Sequence, residues 1–78
     1  MSITAEQCKG ARGMLGWSRD QLSEAAKVAK RTIVDFERSA RSPQHSTIAA
    51  IKQALEAAGV QFIPENGGGP GVRLRDPG

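Results

Sequence analysis

The sequence has few of the residues on which several classes of small protein depend. Its one cysteine, Cys8, rules out a disulfide within the chain, which is typical of a reducing compartment. Its one histidine, His45, is far along the chain from that cysteine, which argues against a metal site. The glycine run near the C-terminus lacks the lysine and following helix of a P-loop, and no catalytic motif is present. We therefore expect no metal, no cofactor and no enzymatic activity.

Aromatic residues are scarce, and long apolar runs are missing. There is no tyrosine, and the only aromatic residues are Trp17, Phe36 and Phe62. Proteins that bind single-stranded nucleic acid by stacking bases on side chains normally have more of them. No apolar run approaches the roughly 20 residues of a membrane-spanning helix, and nothing resembles a signal peptide. We expect a cytoplasmic protein that has no contact with a membrane.

The chain does carry a local excess of positive charge. Its net charge is +3, a value that many globular domains share. Residues 27–41 hold five basic and two acidic residues, so this one segment accounts for the whole excess. Such a segment permits a polyanionic partner but does not by itself establish one.

Helical spacing and capping signals predict two helices at the start of the chain. The first covers residues 4–15, with Thr4 and Gln7 as a capping box and Gly16 as the stop. Ser18 begins the second helix with a capping box of its own. Because these signals are local, the two helices are predicted without reference to the rest of the fold.

Two more helices follow. The third runs from about Lys30 to Arg38 after a turn at residues 27–29, and the fourth begins near Ser46 or Thr47 and runs to Ala58. The apolar positions that we expect to be buried in the four helices are Cys8, Ala11, Leu15, Leu22, Ala25, Ala26, Ile33, Phe36, Ile48, Ile51, Leu55 and Ala58. We also expect Trp17 either to pack on the core or to form a hydrophobic staple at the start of the second helix.

The last part of the chain differs in character. Residues 60–63 are rich in β-branched and aromatic side chains, and residues 72–75 alternate apolar and basic side chains. The glycine- and proline-rich stretch between them cannot form a helix. These signals predict a short hairpin that packs on the helices or pairs with another chain, because an isolated hairpin is marginally stable. We divide the chain into a helical domain, residues 1–59, and a tail, residues 60–78.

Residues 18–38 resemble the helix-turn-helix of the Xre family, the Cro/repressor-like transcription regulators of phages and bacteria. The resemblance covers about residues 3–59. It rests on Leu15-Gly16-Trp17-Ser18, Leu22, Val28, Thr32-Ile33 and Phe36-Glu37-Arg38, followed by a proline-containing loop and an amphipathic helix. It implies a mainly α fold, a four-helix Cro/repressor-like bundle to which this chain adds a short β tail. The third helix would enter the major groove of DNA.

The resemblance also implies which side chains contact DNA. Lys30, Arg31, Thr32 and Asp35 would face base edges, and Asp35 either accepts from cytosine or only orients Arg31. The residues expected at or near the DNA backbone are Arg12, Arg19, Lys27, Arg38 and Arg41. For Lys27 and Arg41, plain solvation fits equally well.

Three further expectations follow from the comparison with this family. Arg12 and Glu37 match a pair that often forms a salt bridge between the first and third helices. Lys27 stands where the family usually has glycine, so a left-handed conformation there costs about 1 kcal/mol. Ala29 replaces the usual capping residue, which removes about 1 kcal/mol of helix stabilisation. Both departures weaken the turn but do not contradict the fold.

The resemblance implies a sequence-specific, double-stranded DNA-binding transcription regulator. We expect a small repressor that binds a palindromic operator as a homodimer, with the tail as the dimer contact. The alternative is a protein-interaction module, such as an antitoxin or antiactivator, that acts mainly through a protein partner bound by the tail.

Overall fold

The computed structural model describes residues 2–64 and 69–75. The helices are α1 (Ala5–Leu15), α2 (Arg19–Ala26), α3 (Lys30–Glu37) and α4 (His45–Ala57), and the strands are β1 (Val60–Ile63) and β2 (Gly71–Leu74). The described part of the chain is therefore mainly helical, with a two-stranded antiparallel sheet near the C-terminus. None of the helices in these residues is long and apolar enough to cross a membrane.

The first two helices begin as their sequences predict. At α1, the Gln7 N–H donates to Thr4 Oγ1 at 3.1 Å, and the Thr4 N–H donates to Gln7 Oε1 at 2.9 Å. Ser18 and Gln21 form the same reciprocal pair at the start of α2. Gly16 follows α1 in the left-handed conformation, with φ of 68°. Local sequence alone thus sets these helix boundaries.

The start of α4 differs from the prediction. The helix begins at His45, before the expected Ser46 or Thr47, and Gln44 occupies the capping position in an extended conformation. The Gln44 side chain makes no capping hydrogen bond, although its carbonyl accepts from the Thr47 N–H at 3.0 Å. Because no hydroxyl marks this boundary, the usual capping signal pointed to the wrong residue.

One hydrophobic core joins all four helices to the hairpin. It consists of Ile3, Cys8, Ala11, Leu22, Ile33, Phe36, Ile48, Ile51, Leu55, Val60 and Phe62, with Leu15, Trp17, Ala26, Val28, Ala54 and Val72 packed against it. The expected burial of Ala25 and Ala58 is wrong, because both are exposed. On α2 the buried position one turn after Leu22 is taken by Ala26, and Ala58 lies beyond the end of α4, where the chain turns toward β1.

The hairpin packs on α1 and α4. Val60 pairs with Leu74 and Phe62 with Val72, so β2 begins one residue earlier than predicted and ends before Arg75. Val60 and Phe62 of β1 are buried in the core. Gly59 therefore marks a change of secondary structure, and the core continues beyond it.

A buried side chain of α1 fixes the hairpin to the helices. Gln7 is 3% exposed, and its Nε2 donates to the carbonyls of Ile63 at 3.2 Å and Gly71 at 2.9 Å. Close approach depends on Gly10, since a Cβ there would lie 3.3 Å from Cγ2 of Val72. Residues 65–68 and 76–78, which belong to the predicted loop and tail, lie outside the described residues.

Candidate functional site

The turn between α2 and α3 is held in place by Ser23. Lys27 has φ of 57° and ψ of 44°, the left-handed conformation that the family resemblance implies for this position. Ser23 Oγ donates to the Val28 carbonyl at 2.6 Å, and the Ser23 carbonyl accepts from the N–H groups of Lys27 and Val28. No local sequence pattern indicates this role of Ser23, which appears only in the structure.

At the ends of α2 and α3 that lie opposite to this turn, a single buried carboxylate joins three segments of the chain. The predicted salt bridge between Arg12 and Glu37 is confirmed: Arg12 Nε lies 2.7 Å from Glu37 Oε2, and Nη2 lies 2.7 Å from Oε1. Arg19 Nε also donates to Glu37 Oε1, at 3.0 Å, and Cys8 Sγ donates to Oε2, at 3.1 Å. We call Cys8, Arg12, Arg19 and Glu37 the carboxylate cluster. It fixes α1, the start of α2 and the end of α3 relative to one another.

The charge states of the cluster follow from its burial and hydrogen bonds. Burial alone raises the pKa of Glu37, but the hydrogen bonds from Arg12, Cys8 and Arg19 outweigh it, so the pKa lies below its ordinary value of 4.5. The hydrogen bond to Glu37 raises the pKa of Arg12. Burial, and then the hydrogen bond to Glu37, raise the pKa of Cys8, so this residue is a protonated thiol and not a reactive thiolate.

The cluster leaves its two arginines in different situations. Arg12 is largely covered, with a side chain 16% exposed, and its Nη1 donates to the Trp17 carbonyl at 3.0 Å. Arg19 is 38% exposed and is bound through Nε. The terminal nitrogens of Arg19 make no hydrogen bond within the described residues, and they are available to a ligand outside the protein. Arg12 is therefore mainly a structural residue, and Arg19 is the member of the cluster that reaches the surface.

The outer side of α3 carries residues for which the family resemblance implies contacts with base edges. Lys30 and Arg31 are exposed and Thr32 is half-buried, while Ile33 and Phe36 lie in the core on the opposite side. The helix is therefore fixed through one side and presents a basic surface on the other.

Lys30 and Arg31 each have a carboxylate neighbour. Lys30 Nζ lies 3.2 Å from Oδ1 of Asp20 in the first turn of α2, a pair that the sequence analysis did not foresee. Arg31 Nε lies 3.4 Å from Oδ1 of Asp35, one turn along α3, as one of the two expected roles of Asp35 requires. The Arg31 side chain is 82% exposed and that of Asp35 only 19%. Asp35 is thus a largely covered acceptor beside an exposed donor.

The end of α3 brings a further arginine toward this surface. Ser39 is left-handed, with φ of 57°, and its N–H donates to the Phe36 carbonyl at 3.1 Å. The Ala40 N–H donates to the Asp35 carbonyl at 2.9 Å, which completes a Schellman motif. The turn leaves Arg41 beside Asp35.

A shallow cavity of about 410 Å³ lies between α3 and the start of α4. Its lining residues are Arg31, Thr32, Asp35, Arg41, Ser42, Pro43, Gln44 and Thr47. The structure therefore brings four of the nine predicted residues together around one concave surface. Lys27 and Arg38 are exposed outside the cavity. We call Lys30, Arg31, Thr32, Asp35, Arg38 and Arg41 the α3 face.

The chemistry of the α3 face is that of a hydrogen-bond donor surface. Its four cations outnumber its single carboxylate, so it suits a polyanion, and its arginine and threonine side chains can also read polar edges. Residues 2–64 and 69–75 contain no group of three or more histidine, cysteine, aspartate or glutamate side chains that could hold a metal ion. A search of known protein families finds no match to the sequence, and a search of curated proteins finds no relative.

Proposed function

We propose that this chain is a sequence-specific, double-stranded DNA-binding transcription regulator of the Xre type. In this proposal, α2 and α3 form the helix-turn-helix, and α3 enters the major groove. The observation that carries the proposal is the division of α3 into two sides. Ile33 and Phe36 anchor it in the core, while Lys30, Arg31 and Thr32 project from the opposite side next to a tight turn.

The base contacts are assigned by chemistry and exposure. Arg31 has the most exposed side chain of the ion-paired residues, and its terminal nitrogens can donate together to O6 and N7 of guanine. Lys30 can donate to the same atoms of a neighbouring guanine, once it leaves the weak, exposed contact with Asp20. Thr32 can touch a thymine methyl group. Asp35 either fixes Arg31 or accepts from cytosine N4.

The remaining cations are assigned to phosphates. Arg19 is held through Nε by Glu37, so its terminal nitrogens are directed by a buried carboxylate. Arg38 and Arg41 follow α3 and are exposed. Contacts of this kind set the position of the protein on the duplex and carry no sequence information themselves.

The size of the unit implies how many copies act together. A single eight-residue helix offers few base contacts, and specific affinity normally comes from two copies on a palindrome with half-sites about 34 Å apart. We therefore propose a homodimer on its operator, acting as a repressor.

Selection of bound duplexes from a random DNA pool tests this proposal. Enrichment of a palindrome with half-sites one helical turn apart would support both the binding and the symmetry. The Arg31→Ala/Arg38→Ala variant should enrich nothing, whereas Arg73→Ala, which removes an exposed arginine on β2, should enrich the wild-type motif. A pool with no enriched sequence at low salt, from protein that is folded by circular dichroism, would contradict the proposal.

A second candidate function, binding of a protein partner, is favoured by one observation. Met14 and Leu74 are exposed large hydrophobic residues, 45% and 42% exposed, and both line one cavity beside the hairpin. The hairpin packs on α1 and α4, whereas α3 packs on α1 and α2. Binding there is compatible with DNA binding by α3.

A further inference from the structure

The ladder of the hairpin determines which peptide groups face outward. The Arg75 N–H donates to the Gly59 carbonyl at 2.7 Å, and Val60 is paired with Leu74. Hydrogen-bonded and non-hydrogen-bonded pairs alternate along an antiparallel ladder. The pair of Val60 and Leu74 is therefore non-hydrogen-bonded. The pair of Phe62 and Val72, two positions further along the ladder, is also non-hydrogen-bonded. The N–H and C=O groups of Val72 and Leu74 point away from β1.

The two outer edges of this hairpin differ in exposure. On β1 the corresponding residues, Val60 and Phe62, are 1% and 7% exposed. On β2, Leu74 is 42% exposed, and its neighbours Arg73 and Arg75 are also exposed. Within the described part of the chain, the free edge of the sheet is therefore that of β2.

Apolar and basic side chains surround this edge. Met14, Gln61, Arg73, Leu74 and Arg75 line a cavity of about 600 Å³. No carboxylate of residues 2–64 or 69–75 lines this cavity. We call Met14, Val72, Arg73, Leu74 and Arg75 the β2 edge surface.

Charge decides which kind of strand can be added here. A second copy paired antiparallel about Arg73 or about Leu74 would set arginine directly opposite arginine, which destabilises a cross-strand pair. A register centred on Val72 would set Leu74 opposite Pro70, which has no N–H to donate. The edge is therefore poorly suited to a second copy of itself.

We propose that the β2 edge surface accepts an extended segment of a protein partner as a third strand. The partner segment alternates acidic and apolar residues. Its acidic residues face Arg73 and Arg75 on one side of the sheet, and its apolar residues lie beside Val72, Leu74 and Met14 on the other. The proposal does not depend on DNA binding, because none of its residues belongs to the α3 face.

An NMR titration with a synthetic peptide tests this proposal. The probe is an eight-residue peptide of alternating glutamate and valine, and the comparison peptide has lysine in place of glutamate. The amide signals of Val72 and Leu74 should shift with the acidic peptide and stay in place with the basic one. Reversal of both charges, Arg73→Glu/Arg75→Glu, should weaken binding of the acidic peptide about tenfold or more.

A matched control separates local pairing from net charge. The Arg31→Glu/Arg38→Glu variant changes the net charge by the same amount at exposed positions in α3 and directly after it, and it should bind the acidic peptide as the wild type does. All four positions are exposed, so circular dichroism should report a folded protein in both variants. Equal weakening in both variants would overturn the proposal, as would shifts confined to residues outside β2. Concentration-dependent protection of the Val72 and Leu74 amides without peptide would also overturn it, because a second copy would then occupy the edge.

Discussion

Arg12 Nε lies 2.7 Å from Glu37 Oε2, and this contact joins α1 to the end of the helix that carries the basic surface. The Glu37 side chain is fully buried, and Arg19 binds its other oxygen at 3.0 Å. A carboxylate removed from water is tolerated only when donors compensate it, and here Arg12 and Arg19 do so together with Cys8. Glu37 therefore helps to set the orientation of α3, together with the core residues Ile33 and Phe36.

The first prediction concerns stability. Glu37→Gln should lower the free energy of unfolding by about 3 kcal/mol, because it leaves two arginines without their shared negative partner. Urea denaturation measures the change. Glu24→Gln, at an exposed position of α2, is the control and should change stability by less than about 0.5 kcal/mol. If both substitutions changed the free energy of unfolding by similarly small amounts, the carboxylate cluster would not stabilise the packing of α1, α2 and α3.

The second prediction concerns pH. The folded-state pKa of Glu37 lies below its ordinary value of 4.5, so the ionised form stabilises the folded state. Its contribution is fully present above the unfolded pKa and is lost as pH falls through the lower folded pKa. The stability difference between the wild type and Glu37→Gln should therefore be constant near neutral pH and shrink below about pH 4.5. Urea denaturation at several pH values checks this, and a difference that grows on acidification would contradict it.

The third prediction concerns Cys8. Its side chain is fully buried and its raised pKa keeps it protonated, so iodoacetamide should react only when the protein opens. Alkylation followed by mass spectrometry should be at least ~100-fold slower than for the Cys8→Ala/Ser46→Cys variant, which places the thiol at an exposed position of α4. Comparable rates for the two proteins would mean that Cys8 is accessible in the folded state.

The fourth prediction concerns the turn. Lys27 has a positive φ of 57°, a conformation that glycine adopts without strain, so Lys27→Gly should stabilise the protein by up to about 1 kcal/mol. The same substitution at Lys9, inside α1, should destabilise it by about 1 kcal/mol. Thermal denaturation distinguishes the two. If Lys27→Gly lowered the melting temperature as Lys9→Gly does, the left-handed conformation assigned to Lys27 would be wrong.

Sequence predicted the parts of the fold that depend on neighbouring residues. The capping boxes of Thr4 and Ser18, the left-handed Gly16 and the buried side of α3 all follow from local patterns. The hairpin also follows, because its alternating strands flank a segment that cannot be helical. These features need no knowledge of how the helices pack.

The candidate site could be predicted only in part. The residues of the α3 face and the pair of Arg12 and Glu37 came from resemblance to a family. The contact between Arg19 and Glu37 and that between Lys30 and Asp20 did not, because each depends on how two helices are placed in space. The left-handed Ser39 was also missed, since serine has no strong preference for that conformation. The spacing of residues along the chain does not reveal which side chains of different helices are in contact.

The central claim is that the outward side of α3 reads base pairs, and Arg31 offers its sharpest test. The measurement is the affinity of the wild type and of Arg31→Ala for the selected duplex and for a set of single-base-pair variants of it. Loss of Arg31 should cost about 1–3 kcal/mol on the selected duplex and abolish discrimination at one base pair of each half-site. Arg38→Ala should weaken binding to all duplexes about equally and reduce the salt dependence. If Arg31→Ala bound every duplex with the affinity and the base preference of the wild type, the assignment of α3 as the reading helix would be wrong.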